Sequence, residues 1–89
     1  MIKIVFSEVE SPTTAEEAID LNRSSGVRAV NTAKSPCTLS IIDTETDHVK
    51  SITLVGGESM IIKKSQRDGV FSSTKTIRIS GVSIYWKWN

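Results

Sequence analysis

Two apolar runs, Ser51-Ile52-Thr53-Leu54-Val55 and Ser59-Met60-Ile61-Ile62-Lys63-Lys64, flank Gly56-Gly57-Glu58, and this pairing constrains the fold more than any other feature. β-branched residues on either side of a two-glycine turn predict adjacent antiparallel strands, because glycine enters the positive-φ backbone that a tight hairpin requires. The middle of the chain is therefore expected to be sheet.

Turn residues recur at short intervals from Val27 onward, and the intervening segments alternate with a period of two. Strands are predicted near Val27–Asn31, Cys37–Asp43, Val49–Val55, Ser59–Lys64, Val70–Ser73, Thr76–Ile79 and Val82–Trp88. Cys37, Leu39 and Ile41 share one face and Thr38 and Ser40 the other, as a half-solvated antiparallel strand requires. Before these, Ile2, Ile4 and Phe6 alternate with Lys3, Val5 and Ser7, predicting a first strand that buries the isoleucine and phenylalanine face. Between Ala15 and Asn22, Thr14 and Glu17 have the spacing of a capping box, so residues 14–22 read either as one short helix or as an irregular crossing that anchors Ile19 and Leu21. The fold class is all-β, a small antiparallel sandwich or barrel-like unit. No repeat or linker divides residues 1–89, which are expected to form one domain.

A chain of 89 residues has a thin core, and oligomerisation would add stability. Its formal charge of +1 creates no large field of either sign, which disfavours nucleic acid and anionic membrane as electrostatically driven partners. Cys37 is the one cysteine, so no intrachain disulfide can form. No apolar stretch approaches the length of a membrane span and residues 1–10 lack the order of a signal peptide, so synthesis in a cytoplasm is expected.

The residues do not assemble an active site. Asp43-Thr44-Glu45-Thr46-Asp47-His48 begins like a calcium loop, but His48 stands where the sharp-turn glycine belongs and Leu54 where the closing carboxylate would be, so it reads as a polar turn and no metal is expected. Nucleophilic catalysis needs a serine or cysteine beside a base, yet His48 lies in that turn and Cys37 on an inward strand face. No enzyme activity, cofactor or small-molecule ligand is expected. Lys63, Lys64 and Arg67 form the densest basic cluster; they lack the interleaved aromatic platforms of a single-stranded nucleic acid site and read as lysines on a solvated edge strand. At the C-terminal end Val82, Ile84, Trp86 and Trp88 share a face and Tyr85 stands opposite. Trp86 reads as core, whereas Trp88, so near the chain end, fits an interface pocket as well as it fits the core. Trp88, Tyr85, Lys63 and Lys64 are the candidate interface residues.

The succession Val27-Arg28-Ala29-Val30-Asn31-Thr32, Cys37-Thr38-Leu39-Ser40-Ile41-Ile42-Asp43, Ile52-Thr53-Leu54-Val55-Gly56-Gly57-Glu58-Ser59, Ile62-Lys63-Lys64 and Asp68-Gly69-Val70-Phe71-Ser72-Ser73 resembles small virion structural proteins of tailed phages, especially those of marine cyanobacteria. The resemblance implies an all-β capsid-, neck- or tail-associated protein that forms homo-oligomers, contacts other virion proteins and has no catalytic residue. It implies synthesis in the host cytoplasm and residence in the virion. The other reading left open by the aromatic end is a small β-sandwich module that stacks a carbohydrate or clasps a peptide through Tyr85, Trp86 and Trp88.

Overall fold

The computed structural model describes residues 2–84. Seven strands, β1 (Ile2–Glu10), β2 (Gly26–Asn31), β3 (Cys37–Asp43), β4 (His48–Leu54), β5 (Ser59–Lys63), β6 (Gly69–Ser72) and β7 (Ile77–Ile84), form two antiparallel sheets. One has the order β1-β7-β2-β5 and the other β4-β3-β6. Val27, Ala29, Ile77 and Ile79 from the first sheet meet Leu39, Leu54 and Val70 from the second, with Leu21 added from the β1–β2 connection. The small antiparallel sandwich expected from period-two patterning is the observed architecture.

The two-glycine segment does something other than join neighbours. β4 pairs with β3 through seven consecutive residues and β5 pairs with β2, so Val55–Glu58 carries the chain from one sheet to the other. It is still a tight turn: the Glu58 amide donates to the Val55 carbonyl at 3.0 Å and Gly57 has φ +80°, as the third position of a type II turn demands. What aims it across the sandwich is Asn31. The Asn31 amide donates to the Glu58 carbonyl and its carbonyl accepts from the Gly57 amide, both at 2.9 Å, while its buried side-chain amide donates to the carbonyls of Ser35 and Leu54. Gly56 lies against this loop, where a Cβ would overlap the Lys34 carbonyl. Gly57 has open space but the wrong φ for a β-branched residue. Gly56→Val and Gly57→Val are each expected to lower stability by about 1–3 kcal/mol, the first through overlap and the second through strain, and thermal melts unchanged in both would refute the turn.

The first strand also departs from simple alternation. Ile2 and Ile4 pair with Ile84 and Val82, then the register shifts so that Phe6 meets Gly81, and shifts again so that Val9 meets Ile79. An extra residue at each shift reverses the face presented. Ile2 and Ile4 are consequently 52% and 68% exposed on the outer face, while Phe6 and Val9 pack on the core; the expected burial of Ile2 and Ile4 is corrected. The same shifts put Glu8 outside, where it pairs with Arg28 and Arg78.

Residues 14–22 are not an α-helix. Half of the capping box forms, the Thr14 hydroxyl accepting from the Glu17 amide at 3.3 Å and donating to the Glu17 carboxylate at 3.0 Å, but it caps one 3-10 turn at Ala15–Glu17. The chain then runs along β6 as an irregular crossing, Ile19 exchanging backbone hydrogen bonds with Val70. Leu21, Asn22 and Arg23 follow with φ of 55°, 59° and 56°. Three left-handed residues in succession cost about 1–2 kcal/mol each, offset by burial of Leu21 and by bonds from the Ser24 and Arg23 amides to Asp20. Finally, Ser80-Gly81 does not separate two strands: β7 is continuous, and Gly81 marks where the Leu21 backbone presses on it.

Candidate functional site

Four strands lie at sheet edges, and their different treatment locates the surface available to a partner. Beside β6 runs the Pro12–Ile19 segment, with Ile19 bonded to Val70 and the Ser72 amide donating to the Pro12 carbonyl at 2.9 Å. β1 is bent by its two register shifts, which makes a poor template for a further strand. β4 and β5 flank one open side of the sandwich. Between them is a groove of about 510 Å³ with Leu39, Ile41 and Ile62 at its floor and Lys50, Ile52 and Lys63 along its rims.

β4 is the longer regular edge, seven residues with no register shift, six of them exposed. Strand geometry fixes which of its backbone groups are free, because alternate residues of a strand point their amide and carbonyl to opposite sides. On β6, Val70 and Ser72 bond outward to Ile19 and Pro12, so Gly69 and Phe71 face β3. These pair with Ile42 and Ser40, leaving Leu39 and Ile41 to face β4, where they pair with Ile52 and Lys50. Val49, Ser51 and Thr53 therefore turn their backbone groups away from the sheet. Val55, next in that series, is already satisfied by Glu58, whose side chain accepts from its amide at 2.9 Å and whose amide donates to its carbonyl. Among the described residues, the free row is the three N–H and three C=O groups of Val49, Ser51 and Thr53.

The sequence-predicted interface residues are placed differently from one another. Lys63 is exposed on β5 at the groove rim. Lys64 is not on a solvated edge: it follows β5, is 9% exposed, and its Nζ donates to the carbonyls of Ser24 at 2.9 Å and Ser65 at 3.2 Å. The burial lowers its pKa, with Asp20 and Asp68 opposing the shift. Its ammonium ties the left-handed turn to the end of β5, which corrects the expectation that both lysines stand in solvent. Tyr85, Trp86 and Trp88 lie outside the described residues. Val49, Ser51 and Thr53 were not singled out by sequence, although a strand in which only Val49, Ile52 and Leu54 are apolar has the composition of an edge.

The other groups weighed for chemistry have structural surroundings. Cys37 is buried, with Sγ beside the hydroxyls of Thr74 and Thr76 and the Asn31 side chain; the Thr74 and Thr76 hydroxyls hold the thiol below its ordinary pKa. His48 opposes Asp43 at one end of the β3–β4 ladder and Cys37 opposes Leu54 at the other, about 20 Å apart at strand rise, so the two do not form a pair. Asp43 opens the β3–β4 turn, its carboxylate accepting from the Glu45 amide at 2.9 Å, a bond that lowers its pKa. Glu45 is paired with Arg67. No group of three His, Cys, Asp or Glu residues placed to hold a metal ion occurs among the described residues. Comparison with protein-family models, with curated proteins and with solved structures returned no match.

Proposed function

We propose that this chain is a non-enzymatic structural subunit of a tailed-phage virion, associated with capsid, neck or tail, and that it works through protein–protein contacts. The observation that carries the contact-forming part is the free edge of β4, a regular strand with three consecutive outward residues unsatisfied beside an apolar groove. Ile52, exposed on the rim of that groove, gives the same side of the sandwich apolar area to bury. The virion setting is supported by the resemblance of the Val27–Thr32, Cys37–Asp43, Ile52–Ser59, Ile62–Lys64 and Asp68–Ser73 segments to small phage virion proteins.

The test is co-assembly. The tagged chain, expressed together with the products of the genes that neighbour its own, should sediment with assembled heads or tails at a fixed stoichiometry. A chain that stays out of every particle and binds a glycan array saturably as a monomer would replace this reading with that of a carbohydrate-binding module.

A further inference from the structure

We infer that the β4 edge pairs with the β4 edge of a second copy of this chain, antiparallel and two-fold about Ser51, joining the two three-stranded sheets into one of six. The inference names a partner for the contact surface proposed above; it rests on the contact-forming reading and does not depend on the virion setting.

The register follows from which groups are free. A two-fold axis at Ser51 sets Ser51 against its copy, Val49 against Thr53 and Thr53 against Val49, so outward residues meet only outward residues. All three N–H and all three C=O groups on each strand then find partners, giving six hydrogen bonds. An axis shifted by one residue toward Ile52 would set Val49 against Val55, whose amide and carbonyl already belong to the Glu58 turn. An axis at Lys50 would place two ammonium groups opposite each other. In the Ser51 register Lys50 faces Ile52 of the other copy, and the aliphatic stem can cover the isoleucine while the cation reaches solvent. Lys50 has no carboxylate partner among the described residues, so no ion pair is broken on association. An inward-pointing lysine ordinarily protects an edge from indiscriminate pairing. Here it permits one register and opposes another. On the outer face the hydroxyl of Ser51 bonds that of Ser40 at 2.9 Å, so the residue on the axis is small and already satisfied.

The experiment uses Lys50→Cys and Ile52→Cys variants of the full chain, each in a Cys37→Ser background. Residues 50 and 52 of opposite copies form a non-hydrogen-bonded antiparallel pair, with Cα atoms about 4.5 Å apart, within disulfide range. A mixture of the two variants under mild oxidation should yield a heterodimeric disulfide, and either variant alone at least tenfold less. Ser51→Pro supplies a second measurement. It removes an outward amide and the hydroxyl bond to Ser40 while leaving the backbone ladder to β3, so against Ser51→Ala, which loses the same hydroxyl bond, sedimentation should show at least tenfold weaker self-association with a similar melting temperature. A parent chain that is monomeric throughout the millimolar range overturns the inference. So does cross-linking of each variant alone as readily as the mixture, or unchanged self-association of Ser51→Pro. Continued co-sedimentation of such a monomer with virion particles would show that the broader functional reading survives the loss of self-pairing.

Discussion

Replacing Asn31 by leucine should lower stability by about 2–4 kcal/mol, with a shifted urea midpoint and an unchanged slope. Leucine keeps the branching of the side chain but is the larger residue, so the loss combines the missing hydrogen bonds with overpacking of a filled site. Asn31 is fully buried and its side chain donates to the Ser35 carbonyl at 2.9 Å and the Leu54 carbonyl at 3.0 Å, and accepts from the Ala33 amide at 3.0 Å. Without it these groups lose a partner in a place water reaches poorly. Asn31→Asp should cost at least as much, although it keeps the acceptor for Ala33, because a carboxylate oxygen would then face the two carbonyls. A change below about 1 kcal/mol in both variants would show that the β4–β5 crossing is held by the glycine turn alone. For a chain of 89 residues the expected total stability is about 5–10 kcal/mol, so the Asn31 cluster accounts for a large share.

The second large effect is at Gly81. β7 lies between β1 and β2 in its sheet, and a Cβ at Gly81 would stand 2.6 Å from the Leu21 carbonyl oxygen and 2.9 Å from the Cβ atoms of Leu21 and Phe6. Backbone and Cβ atoms cannot turn aside as a flexible side-chain end does. Gly81→Val is therefore expected to cost about 3 kcal/mol or more, lowering the melting temperature by roughly 12–24 °C, and Gly81→Ala somewhat less. The disturbance should be local at first: the Ile19–Leu21 crossing should lose amide protection before the β3–β4 ladder does. Normal melting of Gly81→Val would mean that the left-handed turn does not sit on β7 as described.

These two residues also show what was legible in the sequence. Strand positions were, because alternation and turn residues act locally: Cys37–Asp43 forms β3 over those same residues, and the other segments from Val27 onward fall within one or two residues of their strands apart from the joining of the last two into β7. Pairing partners were not. A Gly-Gly turn requires the same positive φ whether it joins neighbouring strands or crosses between sheets, and the choice here is made by Asn31, more than twenty residues earlier. Gly81 looked like a strand break because the Leu21 backbone that needs its missing side chain is sixty residues away. Ile2 and Ile4 read as buried in sequence for a related reason, since a register shift near Val5 reverses faces without leaving a glycine or proline in the sequence. Lys64 follows the same pattern: its burial depends on the Ser24 carbonyl, presented at the end of a left-handed turn that residue identity does not announce. Of the candidate contact site, Lys63 at the groove rim was legible. The free row on β4 was not, since it exists only once the β3–β4–β6 order sets which residues face outward.

Hydrogen exchange along β4 tests the central claim, an assembly surface made of one free sheet edge. In the dilute chain the amides of Lys50 and Ile52, directed at β3, should exchange slowly, and those of Val49, Ser51 and Thr53 should exchange at close to unstructured rates. On assembly the latter three should become protected by at least tenfold while Lys50 and Ile52 change little. Protection of Val49, Ser51 and Thr53 already in the dilute monomer, or their continued rapid exchange in the assembled state, would contradict the account.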